Sequence, residues 1–160
     1  MMVILQNMED LMDKKYYSTS ELEEYIQNRY FLIKDIAEKD NLYLPLDVLF
    51  TNTSLLSKVE GTHCYADEEG YHYVYSERGT VWKHEITYDL FAITYWVIQP
   101  NIFTMSCEYE LNNRIDTQDS RRIIFQKELQ FFEAMGQEYL NRILSEINCT
   151  LIKYPYHDKS

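Results

Sequence analysis

The chain has 160 residues and a 46% apolar share, which suits one domain built around one core, and no second domain is expected. Asp and Glu outnumber Lys and Arg by 26 to 15, for a formal net charge of -11. A surface of that sign repels nucleic-acid phosphates and anionic membranes, and it favours a basic protein partner.

The first predicted element is a helix over residues 3–15; the N-terminus, with only a short apolar run and no basic start, does not read as a secretory signal. A second helix opens at Ser18, Thr19 and Ser20, which offer N-caps, and carries Glu21, Glu23 and Glu24 in its first turn. Leu22, Tyr25, Ile26, Tyr30, Ile33, Ile36 and Ala37 then recur at helical spacing, and the pattern stops at residues 39–41. Pro45 bars further helix, so residues 42–53 read as extended chain or a short helical turn.

The middle of the chain changes period. Gly61, Gly70 and Gly79 mark turns, and Tyr71, Tyr73 and Tyr75 alternate with His72 and Val74, which puts the tyrosines on one strand face. Asp67, Glu68, Glu69 and Gly70 make a hairpin loop before that strand, and Arg78-Gly79 makes a tight turn after it. The next strand places Trp82, His84 and Ile86 together. These segments predict an antiparallel three-stranded meander over about 62–66, 71–77 and 80–86, a sheet small enough to need helices against it.

Helix returns at Thr87, read as a cap with Asp89 in the first turn. Residues 90–98 are the longest apolar run, about half of what spans a bilayer. Pro100 is expected to break or kink this helix, with a second piece over 102–113. Residues 116–120 form a linker rich in caps. A long last helix is predicted over 120–148, with Gly136 tolerated inside it at about 1 kcal/mol. The polar tail after Lys153 is expected to fray. The resulting class is α+β in one domain of residues 1–160: helical over 1–40, sheet over about 62–86, helical over 87–148.

Chemistry-bearing motifs are few. There is no phosphate-binding glycine loop, no G-x-S-x-G elbow and no H-E-x-x-H helix. His63, His72 and His84, with Cys64 and Glu77, match no zinc spacing, and Cys64 beside a histidine base is a weak nucleophile signal. Cys64, Cys107 and Cys149 are odd in number and widely spaced, which argues against disulfides and for a reduced, cytoplasmic setting. No catalytic residue, metal or cofactor is expected. Two constellations remain. Glu77-Arg78-Gly79 reads as a turn held by flanking opposite charges. Asp119-Ser120-Arg121-Arg122 sets two arginines at a helix start, where each opposes the dipole by roughly 0.3–1 kcal/mol. That penalty predicts a brace to an acid elsewhere, Glu108, Glu110 or Glu77, with an anion site as the alternative.

The blocks Tyr71-His72-Tyr73-Val74 with Ser76-Glu77-Arg78-Gly79, then Tyr95-Trp96, then Tyr109-Glu110-Leu111 with Arg114, then Asp119-Ser120-Arg121-Arg122 with Phe125, stand in this order. In that order the chain resembles the immunity protein 63 family of bacterial polymorphic toxin systems. The resemblance covers roughly the second half of the chain and finds no motif in the first sixty residues. It implies a cognate toxin encoded nearby and no catalysis, and it carries over no site residue. An acidic protein fits a basic, nuclease-type toxin, with Asp67, Glu68 and Glu69 over the toxin's cationic site. The rival readings are a small adaptor with another partner, and a small enzyme using Glu77, His72 and Arg121 or Arg122. The chain is expected to be a monomer or a weak homodimer joined at a sheet edge.

Overall fold

The structure, a computed structural model, describes residues 16–51 and 59–160; the helix expected over 3–15 lies outside them. Helix α1 (Thr19–Phe31) begins where the Ser18 hydroxyl accepts the Glu21 N–H at 3.2 Å, and it buries Leu22, Ile26 and Tyr30. The following turn tightens to three-residue hydrogen bonds, Leu32 N–H to Arg29 and Ile33 N–H to Tyr30, before α2 (Lys34–Lys39) resumes. Ile33 and Ala37 still fall on the buried face. Asn41, at φ 57°, ends α2, and the Leu42 N–H reaches back to the Ala37 carbonyl at 2.8 Å.

The sheet holds four strands in chain order: β1 (Val48–Phe50), β2 (Gly61–Asp67), β3 (Gly70–Glu77) and β4 (Thr80–Thr87). The last three are antiparallel, as expected, but the meander is not the whole sheet. β1 pairs parallel with β2, Val48 opposite Thr62 and Phe50 opposite Cys64. A strand of three residues is too short to display a period, so the sequence shows only extended chain there. Cys64 opposes Tyr73, and Tyr65 opposes His72. Cys64, Ala66, Tyr71 and Tyr73 therefore face the helices, and His63, Tyr65, His72 and Val74 face away. Both sets are buried at the sheet centre apart from the half-buried Ala66, whereas Tyr75, expected to share the tyrosine face, is 38% exposed at its end.

Helix α3 (Leu90–Asn112) is capped by Asp89, whose carboxylate accepts the Phe91 N–H at 2.9 Å; Thr87, the predicted cap, instead accepts the Asp89 N–H. α3 passes through Pro100 as one helix, correcting the predicted division. Ile98 and Ile102 are fully buried on either side of the proline, and Asn101 bonds the Pro45 carbonyl at 2.9 Å, so packing holds the turn that the missing N–H weakens. The predicted last helix is two: α4 (Arg121–Met135) and α5 (Gln137–Lys153). Gly136, at φ 136° and ψ 163°, adopts a backbone open only to glycine and divides them.

Two charged side chains of α4 are buried. Lys127 reaches Asp40 at 2.6 Å and Gln130 at 2.8 Å, tying α4 to the end of α2. Glu128 is 2% exposed, and burial, then the nearby Glu146, push its carboxyl up to about 7 against a hydrogen bond from Gln99. Glu146 itself accepts from Tyr95 at 2.6 Å and Arg142 at 2.8 Å.

Candidate partner-binding site

The β2–β3 hairpin is closed by Asp67 opposite Gly70, leaving Glu68 and Glu69 as its two loop residues, both exposed. One Asp67 carboxylate oxygen accepts the Glu69 N–H at 2.8 Å and lies 2.7 Å from His72 Nε2. Burial alone raises the Asp67 carboxyl, but the His72 bond and the Glu69 and Gly70 amides hold it below its ordinary value. Glycine is required at position 70 because a Cβ there would stand 2.8 Å from the Thr87 carbonyl oxygen.

The register of β3 with β4 extends this contact. His72 Nδ1 lies 2.8 Å from His84 Nε2, and the Tyr65 ring stacks on His72 at 4.2 Å. The Asp67 carboxylate accepts from His72 Nε2–H, and His72 Nδ1 shares a second hydrogen bond with His84 Nε2, so the three groups form one hydrogen-bonded chain. Burial, then the neighbouring His72, lowers the His84 pKa; burial, then His84, does the same at His63. Among the described residues, neither buried His63 ring nitrogen has a hydrogen-bond partner. Asp67, Glu69 and His72 each bring a ligand atom within 4.8 Å of the others, a spacing that three donors to one cation can share. Of the ligands considered from sequence, Cys64 faces the helices and Glu77 stands at the far end of β3. Burial pushes the Cys64 thiol up to about 12, opposite to the shift an activated nucleophile needs. All three cysteines are free.

The lead-in to α1 packs against this hairpin. The Tyr17 N–H donates to the Tyr71 hydroxyl at 3.0 Å, and the Ala66 N–H donates to the Thr19 hydroxyl at 3.0 Å. Tyr16 meets the rings of Tyr71 at 5.9 Å and Tyr88 at 5.3 Å, yet stays 51% exposed. The result is an open groove of about 530 Å³ walled by Tyr16, Tyr17, Glu21, Ala66, Asp67 and Glu68. It combines aromatic surface with three carboxylates, the chemistry that receives a lysine or arginine. Sequence reasoning singled out Asp67, Glu68 and Glu69 but missed Glu21, Tyr16 and Tyr17, because only the strapping of α1 onto β2 brings them together.

The two other constellations do different work. Arg78 and Gly79 both take positive φ (52° and 74°), as a two-residue hairpin turn of this hand requires, and the Arg78 N–H donates to Glu60 at 3.1 Å. No ion pair joins Glu77 to Arg78, so the expected charge closure of that turn is absent. The expected arginine brace exists with other partners. Arg121 bonds Asp119 at 2.6 Å and the carbonyls of Tyr154 and Pro155 at 2.8 and 2.9 Å. Arg122 pairs with both Asp158 oxygens at 2.9 Å, and its guanidinium lies 4.1 Å from the Tyr156 ring centre. Asp119 also accepts the His157 N–H at 2.9 Å; the Arg121 bond, then that amide, hold its carboxyl far below the usual range. Residues 119–122 thus clamp the tail that was expected to fray. Glu110, proposed from sequence as an arginine partner, is held by Arg114 at 2.9 and 3.0 Å.

The enzyme reading required Glu77, His72 and Arg121 to converge, and they do not. Glu77 and His72 point to opposite faces of β3, about 16 Å apart along the strand, and Arg121 is committed to the tail. Among the described residues no helix is long and apolar enough to cross a membrane.

Residues 67–149 match the family model described as immunity protein 63. The matched span begins at the hairpin acid Asp67, contains the clamp residues, and stops before the tail they hold. No curated protein and no solved structure matches the chain.

Proposed function

The chain belongs to the immunity protein 63 family, and on that footing we propose that it neutralises a cognate, basic protein toxin by seating a toxin lysine or arginine in the groove beside Asp67. Membership implies a protein acting against a toxin, and the groove's chemistry supports the choice of surface. The observation that carries the reading is the convergence of Glu21, Asp67 and Glu68 on a tyrosine-lined groove. A cation entering it meets ring faces and carboxylates together, the arrangement that makes arginine an interface anchor. Asp67 is already oriented by His72 and the Glu69 amide, so it spends little entropy on binding. Glu68 and Glu69 extend the negative field outward, and the net charge of -11 steers a cationic partner from a distance. A nuclease-type toxin fits this chemistry because its own substrate is polyanionic. Neutralisation by binding requires no catalytic group and no cofactor. It takes place in the cytoplasm, where three free thiols stay reduced.

The test is co-expression with the protein encoded immediately upstream. Rescue of growth with a stoichiometric complex is expected, and Glu21→Lys with Glu68→Lys should weaken that complex on the order of a hundredfold and flatten its salt dependence. A harmless neighbour, or no rescue, refutes neutralisation of that partner. Rescue with affinity untouched by the charge reversals refutes the groove alone.

A further inference from the structure

Among the described residues, β4 is the long unpaired edge of the sheet. Among the described residues it pairs only with β3, and all but the last of its eight residues are exposed. Val81, Trp82 and Ile86 are 41%, 69% and 44% exposed on a strand that ordinary edge protection would make short or polar. The opposite edge, β1, has only three residues. We infer that β4 is an interface for a second copy of this chain, joined antiparallel about His84 into one continuous sheet.

The charges on β4 select that register. Val81 opposes Ser76 and Lys83 opposes Tyr75 on β3, so Trp82 is the extra residue of a bulge and the strand alternates regularly from Lys83 onward. Lys83 and Glu85 share the helix-facing side, where they already pair at 3.4 Å, each about half exposed. His84 and Ile86 lie on the other side. In a continuous two-fold sheet, opposed residues must share a face, so the axis passes through a residue. An axis at Lys83 sets lysine against lysine, and one at Glu85 sets glutamate against glutamate. An axis at His84 alone sets Lys83 against Glu85 of the second copy, twice, and turns two internal pairs into a closed ring of four alternating charges. The same register brings the exposed Ile86 and the bulge residue Trp82 of both copies to the seam. The charge of -11 on each copy opposes the approach, so association is read at physiological ionic strength.

Sedimentation equilibrium from micromolar to submillimolar protein tests this, with circular dichroism to verify the fold of each variant. The unaltered chain should dimerise as concentration rises. Lys83→Glu and Glu85→Lys should each loosen the dimer on the order of tenfold or more, since each places like charges opposite one another. An equimolar mixture of the two variants should regain the original affinity, because Glu85 of one copy's K83E chain then faces the unaltered Lys83 of the E85K chain while the two new residues face each other with opposite sign. A monomer throughout overturns the inference, as does a dimer indifferent to either reversal. So does a mixture that stays apart, which would exclude the His84 register. The dimer does not depend on the toxin reading, and neither result bears on the groove.

Discussion

Replacing Glu128 by glutamine isolates one buried carboxyl. The side chain is 2% exposed and its carboxyl titrates near 7, against an ordinary value of 4.5. The folded state therefore holds this proton more tightly than the unfolded chain does. Its contribution to stability is intact below the unfolded value and is lost as pH rises towards the folded one. Integrating between pH 5 and pH 8 with these two values gives a loss of about 2.5 kcal/mol. Glutamine cannot ionise and keeps an amide for the Gln99 contact, so the variant escapes that loss. Titrating groups remote from Glu128 are common to both proteins and cancel in the difference. Urea denaturation at the two pH values should show Glu128→Gln gaining about 2.5 kcal/mol on the parent between pH 5 and pH 8, or about 5–10 °C in melting temperature. An offset between the two proteins that is the same at both pH values would refute the reasoning and place Glu128 in water.

Gly136→Ala should destabilise by about 1–3 kcal/mol in thermal melts, because alanine cannot adopt the glycine backbone there; unchanged stability with increased helicity would mean that α4 and α5 fuse instead. Lys127→Met leaves Asp40 without its cation and should cost on the order of 2 kcal/mol in denaturant melts, less than for a wholly buried pair because Asp40 is 31% exposed; a neutral result would show that the pair holds nothing. His63→Phe removes two unpartnered ring nitrogens and should add about 1 kcal/mol at neutral pH. Its advantage should widen below pH 6.5, where the unfolded histidine takes up a proton that the buried one, its pKa lowered, resists; an advantage that does not change with pH would count against that burial.

The strands β2 to β4 were legible because alternating aromatics and glycine-marked turns state a two-residue period over a long stretch. The face of α1 was legible for the corresponding reason at 3.6 residues. Pro100 misled because proline's local preference is weak evidence against the burial of Ile98 and Ile102 beside it. Gly136 misled in the other direction: its helix penalty is small, and the sequence does not reveal a backbone at φ 136°. Of the candidate site, the acidic loop could be read directly. The His72–His84 contact could not, since it follows from the β3–β4 register beyond a bulge. The arginines at 121 and 122 announced a partner by opposing a helix dipole, but dipole energetics cannot say that the partner is a tail more than thirty residues on.

Each strand of the sheet bonds to the strand next to it in the chain, while Lys127 and Asp40 meet across 87 residues. The two hairpins need only two-residue loops to close, a small entropy loss compared with joining the helices at either end of the chain. Folding should then start in the middle and finish when α4 reaches α2. Substitutions in the β2–β3 and β3–β4 hairpins should slow refolding, and substitutions at Asp40 or Lys127 should mainly quicken unfolding in stopped-flow measurements. The opposite division would show that the helices assemble first and the sheet is laid down against them.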